Sequence, residues 1–246
     1  MIPKAMPQEA VLLIGGLGTR LGELTKNTPK PMLPLNGRPF LEYLLLRLNK
    51  QGCRRFILAV AYHAEEVRRY FGDGKKWGVD IVYSDPDGRQ LGTGGSIKEA
   101  EELIKGGHFF VLNGDVYFDA PLRELWAFHA QQAASVTLGL AGVPDGGRYG
   151  RVALEPDGHI SAFLEKDPGS GGPATINGGL YVFDKKVLGA IPCGADFSLE
   201  RELFPKLTGR GLYGRCFPKA FFIDIGTPED YRRAGQLRRF GGAIGE

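Results

Sequence analysis

Apolar runs and helical segments alternate through residues 9–143, and this alternation most constrains the fold of the chain. Between the runs, apolar residues recur with helical spacing at 39–52, 64–74, 93–107 and 120–132. Such an alternation is typical of a mostly parallel sheet that is covered by helices on both faces. The five runs predicted as strands are EAVLLI (9–14), RFILAVAY (55–62), VDIVYS (79–84), HFFVLNGD (108–115) and ASVTLGLAGV (134–143).

The pattern changes after Pro144, where shorter strands and turns replace it. We expect these strands to extend the same sheet or to form a small lobe beside it. A chain of 246 residues suits one domain, with a first half at about 1–143 and a second half at about 144–246. Strands are predicted in 149–166, 175–184 and 213–226, helices over 197–207 and 228–240, and a surface loop at 167–174.

Charge, cysteine count and hydropathy exclude several classes of protein. The net charge is +3 without a basic run, so we expect no nucleic-acid partner. Cys53, Cys193 and Cys216 are far apart, which argues against a disulfide framework or a structural zinc site. No apolar run reaches the roughly 20 residues of a membrane span, and the start of the chain does not resemble a signal peptide. We therefore expect a cytoplasmic protein without a membrane partner.

The first apolar run leads into a glycine-rich loop, LLIGGLGTRLGELTKNTPKP (12–31). Backbone N–H groups in such a loop can contact an anion, although a tight turn without a ligand is about as common. The loop lacks the Gly-Lys-Ser/Thr triplet of a P-loop. It also departs from GxGxxG, because Leu21 stands at the third glycine position. The glycines alone leave phosphate binding and a simple turn both open.

Two cations in the same loop favour phosphate binding. Arg20 and Lys30 would repel each other with no anion to neutralise them. Lys30 lies between two prolines, and the residue before a proline is restricted to extended backbone. This stiff geometry lowers the entropy cost of holding a polyphosphate. We therefore expect the backbone of 15–18 and these two side chains to bind the phosphates of a nucleoside triphosphate.

Two aspartates follow predicted strands, at the place where open α/β sheets bind ligands. Asp115 follows FFVLNG, with Gly114 leaving room beside it, and Asp224 follows KAFFI. Carboxylate oxygens are ligands for Mg²⁺. Taken alone, each aspartate is better explained by a turn or a helix cap. Thr227 is a further N-cap candidate near Asp224, with Pro228 as the first helical residue.

The segment GGLGTRLGELTKNTPKPMLPLNGRP (15–39) resembles the signature of the sugar-1-phosphate nucleotidylyltransferases, and the resemblance covers about 10–240. It implies a Rossmann-like three-layer α/β/α nucleotidyltransferase fold of the GT-A-like type, with a mainly parallel mixed central sheet and a small sugar-binding β lobe. NGD and IDIGTPEDY resemble the two metal-ligand segments of the family, which implies Mg²⁺ on Asp115 and Asp224. We expect no C-terminal β-helix domain.

QLGTGGSIKEA (90–100) resembles the segment that reads the base in this family. Its LGTGG form is most similar to guanylyltransferases that act on D-glycero-D-manno-heptose 1-phosphate, and next to mannose-1-phosphate enzymes. Those relatives have Glu-Pro where this chain has Arg89-Gln90, so a uridylyltransferase for N-acetylmuramic acid 1-phosphate or another hexose 1-phosphate stays an alternative. The nucleotide-binding residues that the resemblance implies are Leu13, Gly15, Gly16, Gly18, Thr19, Arg20, Lys30, Leu91, Gly92, Thr93, Asn113, Gly114 and Asp115.

FLEKD (163–167) and INGGLYVF (176–183) resemble the segments that bind the sugar phosphate in the family. The first implies that Glu165 contacts sugar hydroxyl groups and that Lys166 contacts the phosphate. The second implies that Asn177 contacts the sugar; without the resemblance, its Asn-Gly pair predicts a hairpin turn. The implied sugar-phosphate-binding residues are Gly150, Glu165, Lys166, Asn177 and Gly178.

The resemblance implies transfer of a nucleotidyl group from an NTP, with GTP favoured, to a sugar 1-phosphate, with release of pyrophosphate. Arg20 and Lys30 would stabilise the leaving pyrophosphate, and Lys166 would align the attacking phosphate. The four histidines fall in no motif, so we expect them to be structural or exposed. The catalytic residues that the resemblance implies are Arg20, Lys30, Asp115, Lys166 and Asp224.

Two functions of other classes remain as alternatives. A catalytically silent nucleotide-sugar-binding regulatory subunit would lack some of the catalytic residues, and all of them are present here. A glycosyltransferase would carry Asp-x-Asp at the end of a central strand, whereas Asp115 and Asp119 are too far apart for that motif. A homodimer is compatible with the sequence.

Overall fold

The structure, a computed structural model, describes residues 5–15, 19–61, 63–147, 149, 151–164 and 172–241. The strands of this part of the chain are β1 (Glu9–Leu13), β2 (Pro34–Leu35), β3 (Arg38–Pro39), β4 (Arg55–Ala59), β5 (Asp80–Ser84), β6 (His108–Asn113), β7 (Val116–Phe118), β8 (Val136–Val143), β9 (Arg151–Leu154), β10 (Ile160–Leu164), β11 (Ala174–Asp184), β12 (Leu212–Phe217) and β13 (Phe222–Asp224). The helices are α1 (Phe40–Lys50), α2 (Ala64–Phe71), α3 (Gly92–Glu99), α4 (Leu122–Gln132), α5 (Phe204–Leu207), α6 (Pro228–Gly235) and α7 (Arg238–Gly241). Short 3₁₀ turns lie at Thr19–Thr25, Lys30–Met32, Lys75–Trp77, Glu101–Leu103 and Lys185–Ala190, and a π turn lies at Leu199–Leu203.

A mixed sheet of nine strands forms the centre of the molecule. Strands β5, β4, β1 and β6 are parallel and lie side by side in that order. β11 is antiparallel to β6, β8 pairs with the other edge of β11, and β12 runs parallel beside β8. The hairpin β9–β10 joins the sheet through β11. Strands from both predicted halves therefore share one sheet, which is the first of the two arrangements expected from the sequence.

The structure corrects the prediction for two strands. The run at 134–143 does not continue the parallel group, because β8 pairs antiparallel with β11. The segment 213–226 is two strands in different sheets: β12 ends at Phe217, and β13 pairs with β7 in a separate two-stranded sheet. Pro218, which follows Phe217, has no N–H group for a ladder, which explains the break.

Three predicted helices are shorter than expected. α3 ends at Glu99, and a 3₁₀ turn stands where the helix was expected to continue to 107. The segment predicted as one helix at 197–207 is a π turn followed by α5, because Pro205 has no N–H group to donate within a regular helix. The segment 228–240 is divided into α6 and α7. The predicted start of α6 is confirmed, since the Thr227 hydroxyl accepts a hydrogen bond from Asp230 N at 3.2 Å.

Side chains alternate between the two faces of each parallel strand, and both faces are buried. Leu12 and Leu58 belong to a cluster with the apolar faces of α1, α2 and α4, whereas Val11 and Ile57 belong to a second cluster with α3 and α5. The three layers expected from the sequence are thus present. None of the described helices combines the length and hydropathy that a bilayer span requires. The carboxyl ends of β1, β4 and β6 lie at one edge of the sheet, where ligands bind in open α/β folds.

Candidate active site

A cavity of about 470 Å³ lies at the carboxyl ends of β1 and β6. This volume falls within the range of small-molecule sites. Eight of its lining residues are among those predicted to bind the nucleotide: Leu13, Gly15, Lys30, Leu91, Gly92, Thr93, Asn113 and Asp115. Five lining residues were not predicted: Pro31, Ala61, Gln90, Ser96 and Asp196.

Lys30 and Asp115 form an ion pair in this cavity. The Lys30 Nζ lies 2.7 Å from Asp115 Oδ2 and donates a hydrogen bond to it. Lys30 is 7% exposed, on a short turn between Pro29 and Pro31, whereas one third of the Asp115 side chain is exposed. A buried ammonium group needs such a partner, because burial of an unpaired charge is costly. The structure thus brings the predicted phosphate ligand and the predicted metal ligand into direct contact.

Asp224 lies beside Asp115 across the β7–β13 ladder. Asp224 pairs with Val116, and Ile225 N donates a hydrogen bond to Asp115 O at 3.0 Å. The Asp224 carboxylate also accepts from Gly226 N at 2.8 Å, so it forms the turn that the sequence offered as an alternative role. The backbone ladder therefore places Asp224 close to Asp115, although Asp115 lines the cavity and Asp224 is not among the lining residues.

Arg20 lies next to Asp224. A Cβ atom built on Gly226 would stand 2.8 Å from Asp224 Oδ1 and 3.2 Å from Arg20 Nη2. Gly226 thus leaves room for the guanidinium group close to the carboxylate. Arg20 is exposed, on the 3₁₀ segment that begins at Thr19. Four of the five predicted catalytic residues are therefore grouped at one edge of the sheet.

The structure explains the glycine at position 114 by packing within the chain, and not by room for a ligand as the sequence predicted. A Cβ atom at this position would stand 2.6 Å from Leu13 O and 3.2 Å from Pro31 Cγ. Its N–H group donates to Leu13 O at 2.9 Å. The absence of a side chain therefore lets the end of β6 approach the end of β1, so the chain itself requires this glycine. Contact of Gly114 with the nucleotide stays a prediction.

The glycines of LGTGG hold a distant segment against α3. Gly94 N and Gly95 N both donate to Phe197 O, at 2.8 and 3.1 Å, and Phe197 N donates to Leu91 O at 3.0 Å. A Cβ atom on Gly94 would stand 2.7 Å from the Phe197 ring, and one on Gly92 would stand 2.7 Å from Phe197 O. Gly92 also has a positive φ of 63°, which favours glycine. These glycines are required by the packing of residues 195–197.

Arg89 and Gln90, which stand where the resemblance implies Glu-Pro, have different environments. The Arg89 guanidinium group lies 3.5 Å from Glu99 Oε1 and donates from Nε to Pro86 O at 3.1 Å. Gln90 lines the cavity, whereas Arg89 is not among the lining residues. The positive charge of Arg89 is therefore paired with Glu99 of α3, away from the lining of the cavity.

Asn177 lies at a β-bulge in β11, not in the hairpin turn that its Asn-Gly pair predicts. The pairing of β11 with β8 shifts between Asn177 and Leu180. Bulges often redirect side chains next to active sites. At Gly178, a Cβ atom would stand 2.6 Å from the Phe118 ring, so packing again requires the glycine.

Asn177 belongs to a network of polar side chains beneath the cavity. Its Nδ2 donates to the Tyr181 hydroxyl at 3.0 Å, and this hydroxyl lies 3.5 Å from Glu200 Oε1. Thr93 Oγ1, from the lining of the cavity, donates to Glu200 Oε2 at 3.0 Å. Complete burial raises the pKa of Tyr181 well above its usual value, so its hydroxyl stays protonated. The network connects the predicted nucleotide and sugar segments.

Several predicted residues lie outside the part of the chain that the structure describes. These residues are Gly16, Gly18, Gly150, Glu165 and Lys166, and their roles stay predictions. None of the four histidines is among the lining residues of the cavity. His108 and His129 instead form a pair with ring centroids 5.4 Å apart, at the other end of β6. Burial, together with the neighbouring His108, lowers the pKa of His129 to about 3.

The three-layer fold, with paired basic and acidic side chains at a cavity on the sheet edge, defines a nucleotide-binding α/β protein. Comparison with known proteins gives the family. The sequence profile of the nucleotidyl transferase family matches residues 9–239, and the chain belongs to this family.

Two curated relatives and one solved structure show the extent of the similarity. The chain is 41% identical to mannose-1-phosphate guanylyltransferase of Mycobacterium tuberculosis over 230 residues, which is 92% of this chain and 63% of that protein. It is 38% identical to D-glycero-alpha-D-manno-heptose 1-phosphate guanylyltransferase of Aneurinibacillus thermoaerophilus, over 92% of this chain and 96% of that protein. The crystal structure of HddC from Yersinia pseudotuberculosis complexed with GMP-PN has a TM-score of 0.82 and 34% identity, over 93% of this chain and 98% of that one.

Proposed function

We propose that the protein transfers a nucleotidyl group from an NTP to a sugar 1-phosphate and releases pyrophosphate. The observation that carries this proposal is the Lys30–Asp115 ion pair at the carboxyl ends of β1 and β6, with Asp224 and Arg20 beside it. GTP is the proposed nucleotide, and heptose 1-phosphate or mannose 1-phosphate is the proposed sugar substrate. The names of the relatives and the guanine nucleotide analogue in the HddC crystal support these substrates.

Asp115 and Asp224 are suited to hold Mg²⁺ together with substrate oxygens. Mg²⁺ binds through one or two carboxylates and takes its other ligands from phosphates and water. Among the described residues, no group of three or more His, Cys, Asp or Glu side chains is arranged to hold a metal. Asp115, in the turn between β6 and β7, and Asp224, at the end of β13, fit an ion that the substrates help to hold. When bound there, Mg²⁺ would supply charge neutralisation at the α-phosphate.

Lys30 and Arg20 supply positive charge to the phosphates. Lys30 is held by Asp115 before any substrate arrives, so its ammonium group needs little reorganisation when a phosphate binds. Arg20, exposed beside Asp224, can swing toward the departing pyrophosphate and form paired hydrogen bonds with it. Both side chains stabilise negative charge that grows on the leaving group. They therefore lower the free energy of the transition state more than that of the bound substrates.

The attacking group is a phosphate oxygen of the sugar 1-phosphate, which is ionised near neutral pH. No general base is needed for its in-line attack on the α-phosphorus, and the histidines lie away from the cavity lining. The protein therefore contributes positioning and charge stabilisation. Lys166 is proposed to align the nucleophile and Glu165 to bind the sugar, on the resemblance of their segment. Asn177 is proposed to bind a sugar hydroxyl group, supported by its place on the bulge of β11.

Other predictions are kept as proposals. Residues of about 1–143 form the nucleotide-binding half and residues of about 144–246 the sugar-phosphate-binding half. Lys30 and Asp115 in the first half and Asn177 in the second support this division, to which Asp196, a cavity residue from the second half, is an exception. A homodimer, a cytoplasmic location and the absence of a nucleic-acid partner are proposed on the sequence alone.

A grid of substrates tests the proposed function. Pyrophosphate release is measured with Mg²⁺ for four NTPs against the 1-phosphates of heptose, mannose, glucose and N-acetylmuramic acid. We expect a signal with GTP and the heptose or mannose ester. A signal with UTP instead would keep the reaction and replace the base. No release with any pair, from folded protein that binds nucleotide, would favour a silent regulatory subunit.

A further inference from the structure

The cavity has two sides with different chemistry. Lys30 and Asp115 lie on the side of β6, where charges suit a triphosphate. Gln90, Ser96 and Asp196 line it on the side of α3. If a nucleotide binds with its phosphates at Lys30, its base therefore lies on the α3 side of the cavity. Asp196 is the residue on that side with a negative charge, and it comes from a part of the chain more than a hundred residues away from Gln90 in sequence.

Asp196 is held in place by the backbone around it. Its neighbour Phe197 is bonded to α3 on both sides, through the carbonyl group to Gly94 and Gly95 and through the N–H group to Leu91. The Asp196 Oδ1 atom lies 2.7 Å from the position that a Cβ atom on Gly92 would occupy. The carboxylate therefore lies directly against the first residue of α3. A substituent at Gly92 would displace it.

The carboxylate of Asp196 is available to a ligand. Across the described ranges it has neither a hydrogen bond nor an ion pair with another side chain or with the backbone. Arg89, the cation of the segment before α3, is held by Glu99 and by Pro86 O. Asp196 is an exposed residue on the cavity wall, so it keeps both oxygens as acceptors.

Base chemistry decides what such an acceptor recognises. Guanine presents two adjacent donors on its Watson–Crick edge, N1–H and the 2-amino group, and a carboxylate can accept both at once. Adenine and cytosine each place a ring acceptor beside their amino group, and uracil places carbonyl oxygens on both sides of its single N–H. A carboxylate faces repulsion from those acceptors. Among the four common bases, guanine is the one that satisfies both oxygens.

We propose that Asp196 determines the base specificity of the enzyme by accepting hydrogen bonds from N1–H and the 2-amino group of guanine. This proposal rests on the proposed function only in that the cavity binds a nucleotide. Recognition of guanine by Asp196 can be measured as binding, without any transfer to a sugar 1-phosphate. Asp196 takes the part that the Arg89-Gln90 substitution removes from the sequence segment before α3. The carboxylate comes from the segment at 195–197, which packs against α3, and not from the residues that precede α3 in the sequence.

Asp196→Asn gives a test in which one activity is lost and another is gained. The wild type is expected to use GTP at least tenfold better than ITP, which lacks the 2-amino group. The variant is expected to lose about 10- to 100-fold in kcat/KM for GTP and to discriminate little between GTP and ITP. Asparagine offers one acceptor and one donor, which match N1–H and the 2-oxygen of xanthine, so the variant is expected to gain use of XTP. A misfolded protein cannot show that gain.

Two controls separate the outcomes. Asp87→Asn changes an exposed aspartate of the loop between β5 and α3 that is not among the cavity lining residues, and it is expected to keep the wild-type ratio of GTP to ITP. Equilibrium binding of GTP, ITP and XTP, by calorimetry, is measured beside turnover. Selective GTP binding that Asp196→Asn abolishes would support the proposal even if no sugar 1-phosphate is converted, which would sink only the proposed function. A folded Asp196→Asn variant that keeps the wild-type GTP to ITP ratio, in turnover and in binding, would overturn the proposal.

Discussion

The two sides of the cavity are built by different forces. On the side of β6, opposite charge holds Lys30, on a short 3₁₀ turn, against Asp115, which follows a strand of the central sheet. On the side of α3, three glycines let a distant segment approach the helix backbone, and Asp196 arrives with that segment. Charge thus organises the first side and close packing organises the second. A substitution on the first side is expected to reduce catalysis, whereas one on the second is expected to reduce stability and specificity together.

The largest effect is expected from Asp115→Asn. The variant keeps a hydrogen-bond acceptor for Lys30 but loses the negative charge proposed to hold Mg²⁺. We expect turnover to fall by more than about 100-fold, because charge stabilisation of the transferred phosphate is the main catalytic contribution. Pyrophosphate release and thermal unfolding are measured on the same sample. An Asp115→Asn enzyme with near wild-type turnover would remove this residue from the proposed metal site.

Gly95→Ala tests the packing side. An added Cβ atom would meet the Ala195 carbonyl oxygen, and it would stand 2.9 Å from Leu91 Cβ. Alanine normally stabilises a helix relative to glycine, but here we expect a loss of about 1–3 kcal/mol in the free energy of unfolding, because the 195–197 segment must move. Urea denaturation checks the value. Gly189→Ala is the matched control, since a Cβ atom there meets nothing within 4 Å; equal losses in both variants would contradict the packing argument.

The histidine pair at the far end of β6 is a place where a change of pH is expected to alter the stability of the protein and leave the cavity unchanged. Burial lowers the pKa of His108, and burial together with His108 lowers that of His129 to about 3. The folded state therefore binds fewer protons than the unfolded state below the usual pKa of about 6.5. We expect stability to be fully present above that pH and to fall by about 1 kcal/mol for each pH unit below 6.

Urea unfolding between pH 7.5 and 5 measures this slope. His129→Gln keeps a polar group for Thr137, whose hydroxyl lies 2.9 Å from His129 Nδ1, and it removes the titration of residue 129 while that of His108 remains. A slope in the variant as steep as that of the wild type would assign the acid sensitivity to other groups. The GTP to ITP ratio is expected to stay constant over this range.

The sequence predicted the parallel part of the fold because each strand there is a short apolar run with a helix between it and the next. It placed β1, β4, β5 and β6 within a few residues of their observed bounds. It failed where one residue changes the backbone without changing hydropathy, as Pro205 and Pro218 do. It also failed for β8, since the direction of a strand depends on its partner rather than on its own residues.

The same distinction applies to the candidate site. Lys30 and Asp115 could be found because each belongs to a short motif with a stated chemical use, and the structure places them in contact. Asp196 belongs to no motif. The only sequence signal near it is the run of glycines in LGTGG, which indicates that something approaches α3 closely but not what it is. Residues that reach a site through tertiary packing leave little trace in local sequence.

Strand β11 has a mechanical consequence for the reaction cycle. Its eleven residues belong to the second half, and they pair with β6 and β8 of the first half and with β9 of the second. A hinge motion between the two halves would have to break those hydrogen bonds, so we expect the sheet to move as a rigid unit. Lys30, held by Asp115, and Asp196, held through Phe197 by α3, are likewise positioned against this sheet. We therefore expect the strand residues Asn113 and Asn177 to keep their spacing through the reaction cycle.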